Sequence, residues 1–278
     1  MTIVVTGATG HLGRLVVESL LARGVPATDI VATGRSVEKL DGLGVTVRAA
    51  SYDEPESLRA AFAGADTLIF VSSSETGERR VTQHRNVIEA AKAAGIGRVI
   101  YTSIPKADTT DMKLAADHRA TETLLLESGL PSTFLRNSWY IENYDVQSAL
   151  EHGLLGSSGD GKISAAPRAD YAEAAAAAAL TDNPKQVYEL GGEPFTMAEL
   201  AAEISRQSGR EVTYTDLPEA KFAEFLAGVG VPEPMPVILA DSGRATRAGA
   251  LHVEGNDLET LLGRPATPLA AALKTALA

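Results

Sequence analysis

The stretch TIVVTGATGHLGRLVV, residues 2–17, contains the features that decide the fold. Its first part, Thr2–Thr6, is a β-branched run typical of a strand buried on both faces of a sheet. Gly7, Gly10 and Gly13 follow, and apolar residues then recur at helical spacing as far as Gly24. A glycine-rich turn between a buried strand and an amphipathic helix predicts a site for a dinucleotide cofactor.

Each glycine of this turn has a physical reason to be glycine. Gly7 permits the tight turn, Gly10 lets the backbone approach a pyrophosphate, and Gly13 lets the helix pack closely on the sheet. The helix that follows offers free N–H groups and the positive end of its dipole to the phosphates. The alternative is a Rossmann-like fold that has lost its cofactor.

The rest of the chain alternates between short apolar runs and amphipathic segments. Further strands are predicted at residues 30–33, 45–49, 67–71, 98–102 and 132–135, and helices at 11–23, near 36–40, at 55–62, 80–94 and 115–128. This alternation predicts an α/β fold, a doubly wound parallel sheet of Rossmann type.

The pattern loosens after Arg136, and a small, mostly helical C-terminal lobe is expected. A helix-like segment at 141–151 precedes a Gly/Ser stretch at 153–161, and a helix at 171–180 and a strand at 186–190 return to the main sheet. Beyond Glu193 one strand near 211–215 is expected, and Pro232, Pro234 and Pro236 indicate a loop. The predicted division is a dinucleotide-binding domain at 1–135 with a return near 171–191, and a substrate-side lobe at 136–170 and 192–278.

Composition excludes several classes of function. The 278 residues carry a net charge of -11 without a basic run, which disfavours a nucleic-acid partner. The chain has no cysteine, and its five histidines lack the spacing of metal ligands, so we expect no metal. No apolar run approaches the roughly 20 residues of a membrane span. We expect a cytoplasmic protein, monomeric or homodimeric.

The end of the second strand indicates which dinucleotide is bound. A site for NAD expects a carboxylate there, but this chain reads Thr33-Gly34-Arg35-Ser36. Arg35 is suited to pair with the 2′-phosphate of NADPH, and the less favoured alternative is a solvated surface arginine. Asp53 is a candidate acceptor for the adenine amino group, or else a helix N-cap before Pro55.

Polar residues follow the later strands, where the fold places its ligands. They are Ser72, Ser73 and Ser74 after the fourth strand, Thr102 and Ser103 after the fifth, and Asn137, Tyr140 and Asn143 after the sixth. Trp139 either forms part of a slot for a ring substrate or packs the lobe on the core. This cluster predicts a substrate site beside the cofactor.

The acid–base pair of the orthodox short-chain dehydrogenases, Tyr-x-x-x-Lys, does not occur in this sequence. On the corresponding helix, His118 and Glu122 stand four residues apart. His118 is a candidate proton donor whose pKa Glu122 would raise, and the alternative is a surface pair. We therefore expect an electrophilic acceptor that needs positioning more than acid–base catalysis.

Together these stretches resemble the NmrA-like branch of the atypical short-chain dehydrogenase/reductases. Within it the chain is most similar to the bacterial type 2 NAD(P)H:quinone oxidoreductases. The resemblance is carried by GATGHLG at 7–13, SSSETG at 72–77, QHRNVIEAAKAAG at 83–95, IYTS at 100–103, LRNSWYIENY at 135–144, and GDGKI with RADYA at 159–172.

The resemblance implies NADPH-dependent reduction of a quinone-like small molecule without a metal. It implies that Gly7, Thr9, Gly10, His11 and Leu12 hold the pyrophosphate and that Arg35 takes the 2′-phosphate. It further implies that Ser72–Ser74, Thr102, Ser103 and Asn137 line the nicotinamide end, while Tyr140 and Asn143 face the substrate. Where this chain has His11, the family often has Gln, which alters a side-chain contact but leaves the backbone cradle.

Two other functions occur among such proteins and stay open from the sequence. One is reduction of triphenylmethane or azo dyes. The other is sensing of NADP(H) by a regulatory protein without catalysis, which the missing Tyr-x-x-x-Lys pair permits.

Overall fold

A computed structural model describes residues 1–277. The strands are β1 Ile3–Val5, β2 Ile30–Gly34, β3 Thr46–Ala49, β4 Thr67–Phe70, β5 Arg98–Ser103, β6 Ser132–Asn137, β7 Leu154–Gly156, β8 Val187–Leu190 and β9 Tyr214–Asp216. The helices are α1 His11–Ala22, α2 Pro55–Phe62, α3 Gly77–Ala94, α4 Lys113–Ser128, α5 Val146–His152, α6 Arg168–Leu180, α7 Met197–Ser208, α8 Glu219–Gly228, α9 Met235–Arg247, α10 Asp257–Leu262 and α11 Leu269–Leu277. Short 3-10 turns occupy Ala27–Asp29, Val37–Leu40 and Ile141–Asn143.

Seven strands form one parallel sheet in the order β3-β2-β1-β4-β5-β6-β8. The order reverses between β1 and β4, which is the point where open α/β sheets bind ligands at the carboxyl ends of their strands. The doubly wound, Rossmann-type sheet predicted from the sequence is therefore confirmed.

The strands β1, β2, β4, β5 and β6 are buried on both faces, as the β-branched runs predict, whereas the edge strand β3 is mostly exposed. Val5 and Ile69 face a core that includes Tyr171 of α6. Val4 and Leu68 face a second core formed with α2, α3 and α4. Burial on both faces explains why these strands read as continuous apolar runs instead of alternating ones.

The lobe has an apolar cluster of its own, which includes Ile163, Leu200, Ile204 and Leu251. Its small second sheet pairs β7 with β9 in parallel, with Leu154 opposite Tyr214. β7 lies within the Gly/Ser stretch, where the sequence predicts no strand. Three residues are too few to show a pattern of alternating apolar side chains, and this strand depends on its pairing with β9.

Other details of the C-terminal third differ from the sequence prediction. The strand near 211–215 lies at Tyr214–Asp216, and Pro236 lies in the first turn of α9 and not in a loop. α10 falls within the predicted lobe, yet its Leu258 and Leu262 belong to the core of the main sheet. The last residue of the predicted lobe, Ala278, lies outside the described residues.

Candidate functional site

The turn between β1 and α1 has the geometry of a phosphate cradle. Gly7 has a φ of +62°, which favours glycine, and its carbonyl accepts a 2.9 Å hydrogen bond from the N–H of Gly10. A Cβ on Gly13 would lie 2.4 Å from the Gly7 oxygen. The turn therefore closes only if residue 13 has no side chain.

The first turn of α1 keeps its backbone donors free of side-chain caps. Its N-cap Gly10 is extended, with a φ of -93° and a ψ of 170°, and makes no side-chain capping bond. Gly10 and His11 are exposed, whereas Leu12 is buried against the sheet. Uncapped N–H groups at a helix N-terminus fit a pyrophosphate.

The ends of β1 and β2 approach each other closely. A Cβ on Gly34 would lie 2.4 Å from Cγ2 of Thr9, so the Thr9 side chain occupies the space beside the β2 end. Arg35 comes next and is exposed. No salt bridge within residues 1–277 engages Arg35, which leaves its guanidinium available to an anion.

Asp53 is not a helix cap. The N-cap of α2 is Glu54, without a side-chain capping bond. The Asp53 carboxylate instead accepts a 3.0 Å hydrogen bond from Gln83 Nε2 and lies 3.5 Å from Arg79 Nη2. Asp53 is exposed, so it keeps access to a ligand from its place beside α3.

The segment Ser72–Gly77 after β4 is held in place by buried polar groups. The N–H of Ser72 donates to Thr102 Oγ1 at 2.9 Å, and the N–H of Ser73 donates to His84 Nε2 at 2.9 Å. The N–H of Gly77 donates to Asp117 Oδ2 at 2.7 Å. Ser74 is the exposed member of the serine triplet.

His84 is a support of this segment that sequence reasoning missed. Its Nε2 accepts from Ser73, so Nδ1 carries the proton and donates to Thr121 Oγ1 at 2.8 Å. Burial, and then the charge of Arg80, lower the pKa of His84 to about 3. The ring is therefore neutral near pH 7, and the contact to Ser73 is stable there.

The predicted pairing of His118 with Glu122 is wrong. His118 is buried, and its ring nitrogens lie 2.8 Å from the Tyr101 hydroxyl and 3.3 Å from Arg80 Nη1. Burial, with the charge of Arg80, holds the pKa of His118 well below its ordinary value, not above it. The face of α4 that carries both residues turns toward the sheet, where each side chain finds a different partner.

Glu122 bonds Ser103 and Arg136 instead. Ser103 Oγ donates to Glu122 Oε1 at 2.6 Å, and Arg136 Nη2 lies 2.7 Å from Glu122 Oε2. Arg136 Nη1 also reaches Glu189 at 3.0 Å and Asp108 at 2.9 Å. Burial opposes the charge of Arg136, but the hydrogen bonds to Glu122 and Glu189 outweigh it and hold its pKa above the ordinary value.

The substrate-side residues gather at the end of β6. Asn137 Nδ2 approaches the Tyr140 hydroxyl at 3.4 Å, while the buried Asn137 Oδ1 has no hydrogen-bond partner within residues 1–277. The Tyr140 ring packs edge-on against Tyr171 at 5.3 Å. A buried acceptor without a protein partner at this edge of the sheet is suited to accept from a donor group of a ligand.

Arg168 joins Tyr140 to Asn143 and was not predicted as a site residue. Its guanidinium lies 5.0 Å from the centre of the Tyr140 ring, and its Nη2 donates to Asn143 Oδ1 at 2.6 Å. Burial raises the pKa of Tyr140, while Asn137 and Arg168 act in the opposite direction. Trp139 packs on the lobe cluster, which favours its structural role over an open aromatic slot.

Two further features concern metal binding and membrane insertion by the described residues, 1–277. No group of histidine and acidic side chains there has the arrangement of a metal site. None of the helices in residues 1–277 combines the length and apolarity that crossing a membrane requires.

The chain is similar over its whole length to several known proteins. It is 47% identical over 277 residues to quinone oxidoreductase 2 of Escherichia coli (strain K12), which covers 96% of each chain. The crystal structure of the Escherichia coli NADPH-dependent quinone oxidoreductase complexed with NADPH superposes with a TM-score of 0.95, 45% identity and complete coverage of both chains. The triphenylmethane reductase of Citrobacter sp. superposes with a TM-score of 0.92 and 36% identity, covering 100% of this chain and 99% of that chain.

The model of the NmrA-like family matches residues 1–248, which include the glycine turn, the Ser72–Gly77 segment and the Tyr140 group. The chain belongs to the NmrA-like family.

Proposed function

We propose that this protein is an NADPH-dependent oxidoreductase that reduces a quinone or a similar conjugated acceptor. The observation that carries the proposal is the pairing, at one edge of the sheet, of the glycine cradle with the Asn137–Tyr140–Arg168 group. The full-length similarity to a quinone oxidoreductase from Escherichia coli supports it. The resemblance stated from the sequence points the same way.

NADPH would supply a hydride to one carbon or oxygen of the acceptor, and a proton completes the two-electron reduction. Backbone donors of His11 and Leu12 would hold its pyrophosphate, and the extended Gly10 leaves room for it to approach the backbone. Arg35 would pair with the 2′-phosphate, and Asp53 would accept from the adenine amino group. Thr9 and Gly13 shape the turn that presents these donors.

The nicotinamide end would lie on the residues that follow β4, β5 and β6. Ser72 and Ser73 are fixed by Thr102 and His84, so they offer a rigid edge. The free Oδ1 of Asn137 suits an N–H donor. A rigid arrangement of this kind lowers the cost of bringing donor and acceptor carbon together.

Tyr140 is the candidate proton donor. Its oxygen accepts from Asn137, and within residues 1–277 we find no acceptor for its own hydrogen. That hydrogen is free to bond an oxygen of the acceptor as negative charge develops there. The guanidinium of Arg168 would stabilise the same charge, and Asn143 holds the guanidinium in place.

Steady-state assays with NADPH and a panel of benzoquinones, naphthoquinones and triphenylmethane dyes test the proposal. Loss of nicotinamide absorbance should depend on the protein and be fastest with quinones, in comparison with reactions that lack protein. Absence of protein-dependent NADPH consumption with every acceptor would contradict it. Consumption with the dyes alone would assign the chain to dye reduction.

Oligomeric state and compartment stay predictions. We propose a monomer or homodimer, because two-fold dimers are the commonest closed assemblies. Light scattering during gel filtration would decide between them. The cytoplasmic location expected from the sequence would be tested by fractionation of cells that produce the protein.

A further inference from the structure

We propose that Glu122 fixes the hydroxyl of Ser103 as a hydrogen-bond acceptor, so that Ser103 recognises a donor group at the nicotinamide end of NADPH and does not protonate the substrate. This inference rests on the proposed function. It assigns the Ser103 hydroxyl the role of acceptor toward the ligand. Glu122 is the positioning residue that fixes the hydroxyl in this role.

Ser103 lies at the carboxyl end of β5. In the sheet register it lies opposite Arg136 of β6, so both side chains leave the same face toward α4. Glu122 of α4 meets them there, and its Oε1 is 2.6 Å from Ser103 Oγ and 3.0 Å from Arg136 Nε. Ser103 and Glu122 are each 5% exposed, which leaves water little access to this contact.

The chemistry of the two side chains decides which one donates in the hydrogen bond between Ser103 and Glu122. A serine hydroxyl has one hydrogen, and a carboxylate can only accept. The pairing with Arg136, at 2.7 Å from Oε2, holds the Glu122 carboxylate in one orientation. The hydrogen of Ser103 is therefore committed to Glu122, and only its lone pairs remain for a ligand.

Because Ser103 can only accept a hydrogen bond from a ligand, it favours ligand groups that donate one. It would bind an N–H of the nicotinamide carboxamide or a hydroxyl of the adjoining ribose. It would not bind the carbonyl of a quinone, which needs a donor such as the free hydrogen of Tyr140. In this arrangement the Ser103 hydroxyl on β5 binds the cofactor, and the Tyr140 hydroxyl after β6 binds the substrate.

Binding measurements without any quinone test the inference. The wild type, Glu122→Gln and Ser103→Ala would be titrated with NADP+, with its 3-acetylpyridine analogue and with 2′,5′-ADP, by calorimetry. The analogue replaces the amide nitrogen by a methyl group and so cannot donate. The compound 2′,5′-ADP lacks the nicotinamide end and reports on whether the adenine half of the site is intact.

We expect the wild type to bind NADP+ about tenfold more tightly than the analogue, the value of one hydrogen bond. In Glu122→Gln the introduced amide can donate to Ser103 and turn its hydrogen outward, so this preference should fall to about one or reverse. Ser103→Ala should lose the preference without reversing it. Affinity for 2′,5′-ADP should not change in either variant.

The outcomes are distinct. If both variants weaken NADP+ and the analogue by the same factor while 2′,5′-ADP binds normally, the donor is the ribose hydroxyl, which the two cofactors share, and the acceptor role stands. If both variants bind both cofactors as tightly as the wild type, the inference is overturned. Should Glu122→Gln fail to fold, Ser103→Ala decides, because it retains the pair of Glu122 with Arg136.

Failure here is separable from failure of the proposed function. The titrations need no turnover, so an unchanged cofactor preference alongside rapid quinone reduction would remove only this inference. Normal titrations without any quinone reduction would instead count against the proposed activity.

Discussion

In the proposed binding mode, Arg35 distinguishes NADPH from NADH. It is exposed at the end of β2, where no carboxylate takes the place expected for an NAD site. Arg35→Glu should weaken NADPH about 10-fold to 100-fold, the value of one charged hydrogen-bond partner, and leave NADH within about twofold. Fluorescence titration of both cofactors measures this.

Arg85→Glu provides the matched control for that substitution. It makes the same change of charge on the exposed face of α3 and should leave both affinities as they are. Equal loss of NADPH and NADH in Arg35→Glu would show that the 2′-phosphate is bound elsewhere.

Substitution of Tyr140 should affect the chemical step and not the binding of the cofactor. Removal of its hydroxyl in Tyr140→Phe should lower kcat for quinones about a hundredfold, because a positioned proton donor contributes that much. The affinity for NADPH should change little. Tyr188→Phe on β8, which removes a hydroxyl that accepts from the N–H of Lys185, should leave kcat near the wild-type value. A kcat for Tyr140→Phe equal to that of Tyr188→Phe would rule out the donor role.

Individual residues were predicted from the sequence where the backbone decides their role. The glycines of the turn and the exposed Arg35 follow from the fold of their own segment. His118, Glu122 and His84 do not, because their partners Tyr101, Ser103 and Ser73 come from other elements. Spacing along α4 shows which residues share a face, but not toward which neighbours that face turns.

At the scale of elements, the β1–α1 turn should be the most sensitive part of the site. Gly13→Ala places a Cβ 2.4 Å from the Gly7 oxygen and must displace the turn, at a cost of about 1 to 3 kcal/mol in the free energy of unfolding. NADPH binding should be lost with it. Gly228→Ala at the end of α8 meets no heavy atom within 4 Å and serves as the control. Chemical denaturation and cofactor titration would check both, and a Gly13→Ala protein with wild-type affinity would contradict the cradle.

The support of the Ser72–Gly77 segment by α3 should appear as a dependence of stability on pH. The pKa of His84 is lowered from 6.5 to about 3, so between these values the unfolded chain binds a proton that the folded protein excludes. The unfolding free energy contributed by this histidine is complete above about pH 6.5 and is lost as pH falls toward 3, at about 1.4 kcal/mol per pH unit.

Denaturant titrations of the wild type and His84→Gln across this range measure the effect. The variant should show a shallower dependence on pH, because one of the excluded protons is absent. Parallel curves would mean that His84 titrates normally in the folded protein, and that its contact with Ser73 is weaker than the 2.9 Å distance implies.

For the molecule as a whole, the parallel sheet could be predicted because most of its strands are apolar runs that alternate with amphipathic helices along the chain. The helix at 55–62 has the predicted bounds, and the strand order follows from the doubly wound alternation. The lobe could not be predicted in the same detail. β7 depends on β9, some 60 residues later, and α10 leaves the lobe to pack on α6 and β8.

In the proposed function, NADPH and a quinone react with each other at one edge of this sheet. An anaerobic single-turnover experiment tests it most directly, with protein-bound NADPH mixed with an equal amount of benzoquinone. Nicotinamide absorbance should disappear faster than in the protein-free mixture, with one hydroquinone formed for each NADPH consumed. Persistence of bound NADPH at the protein-free rate would contradict it.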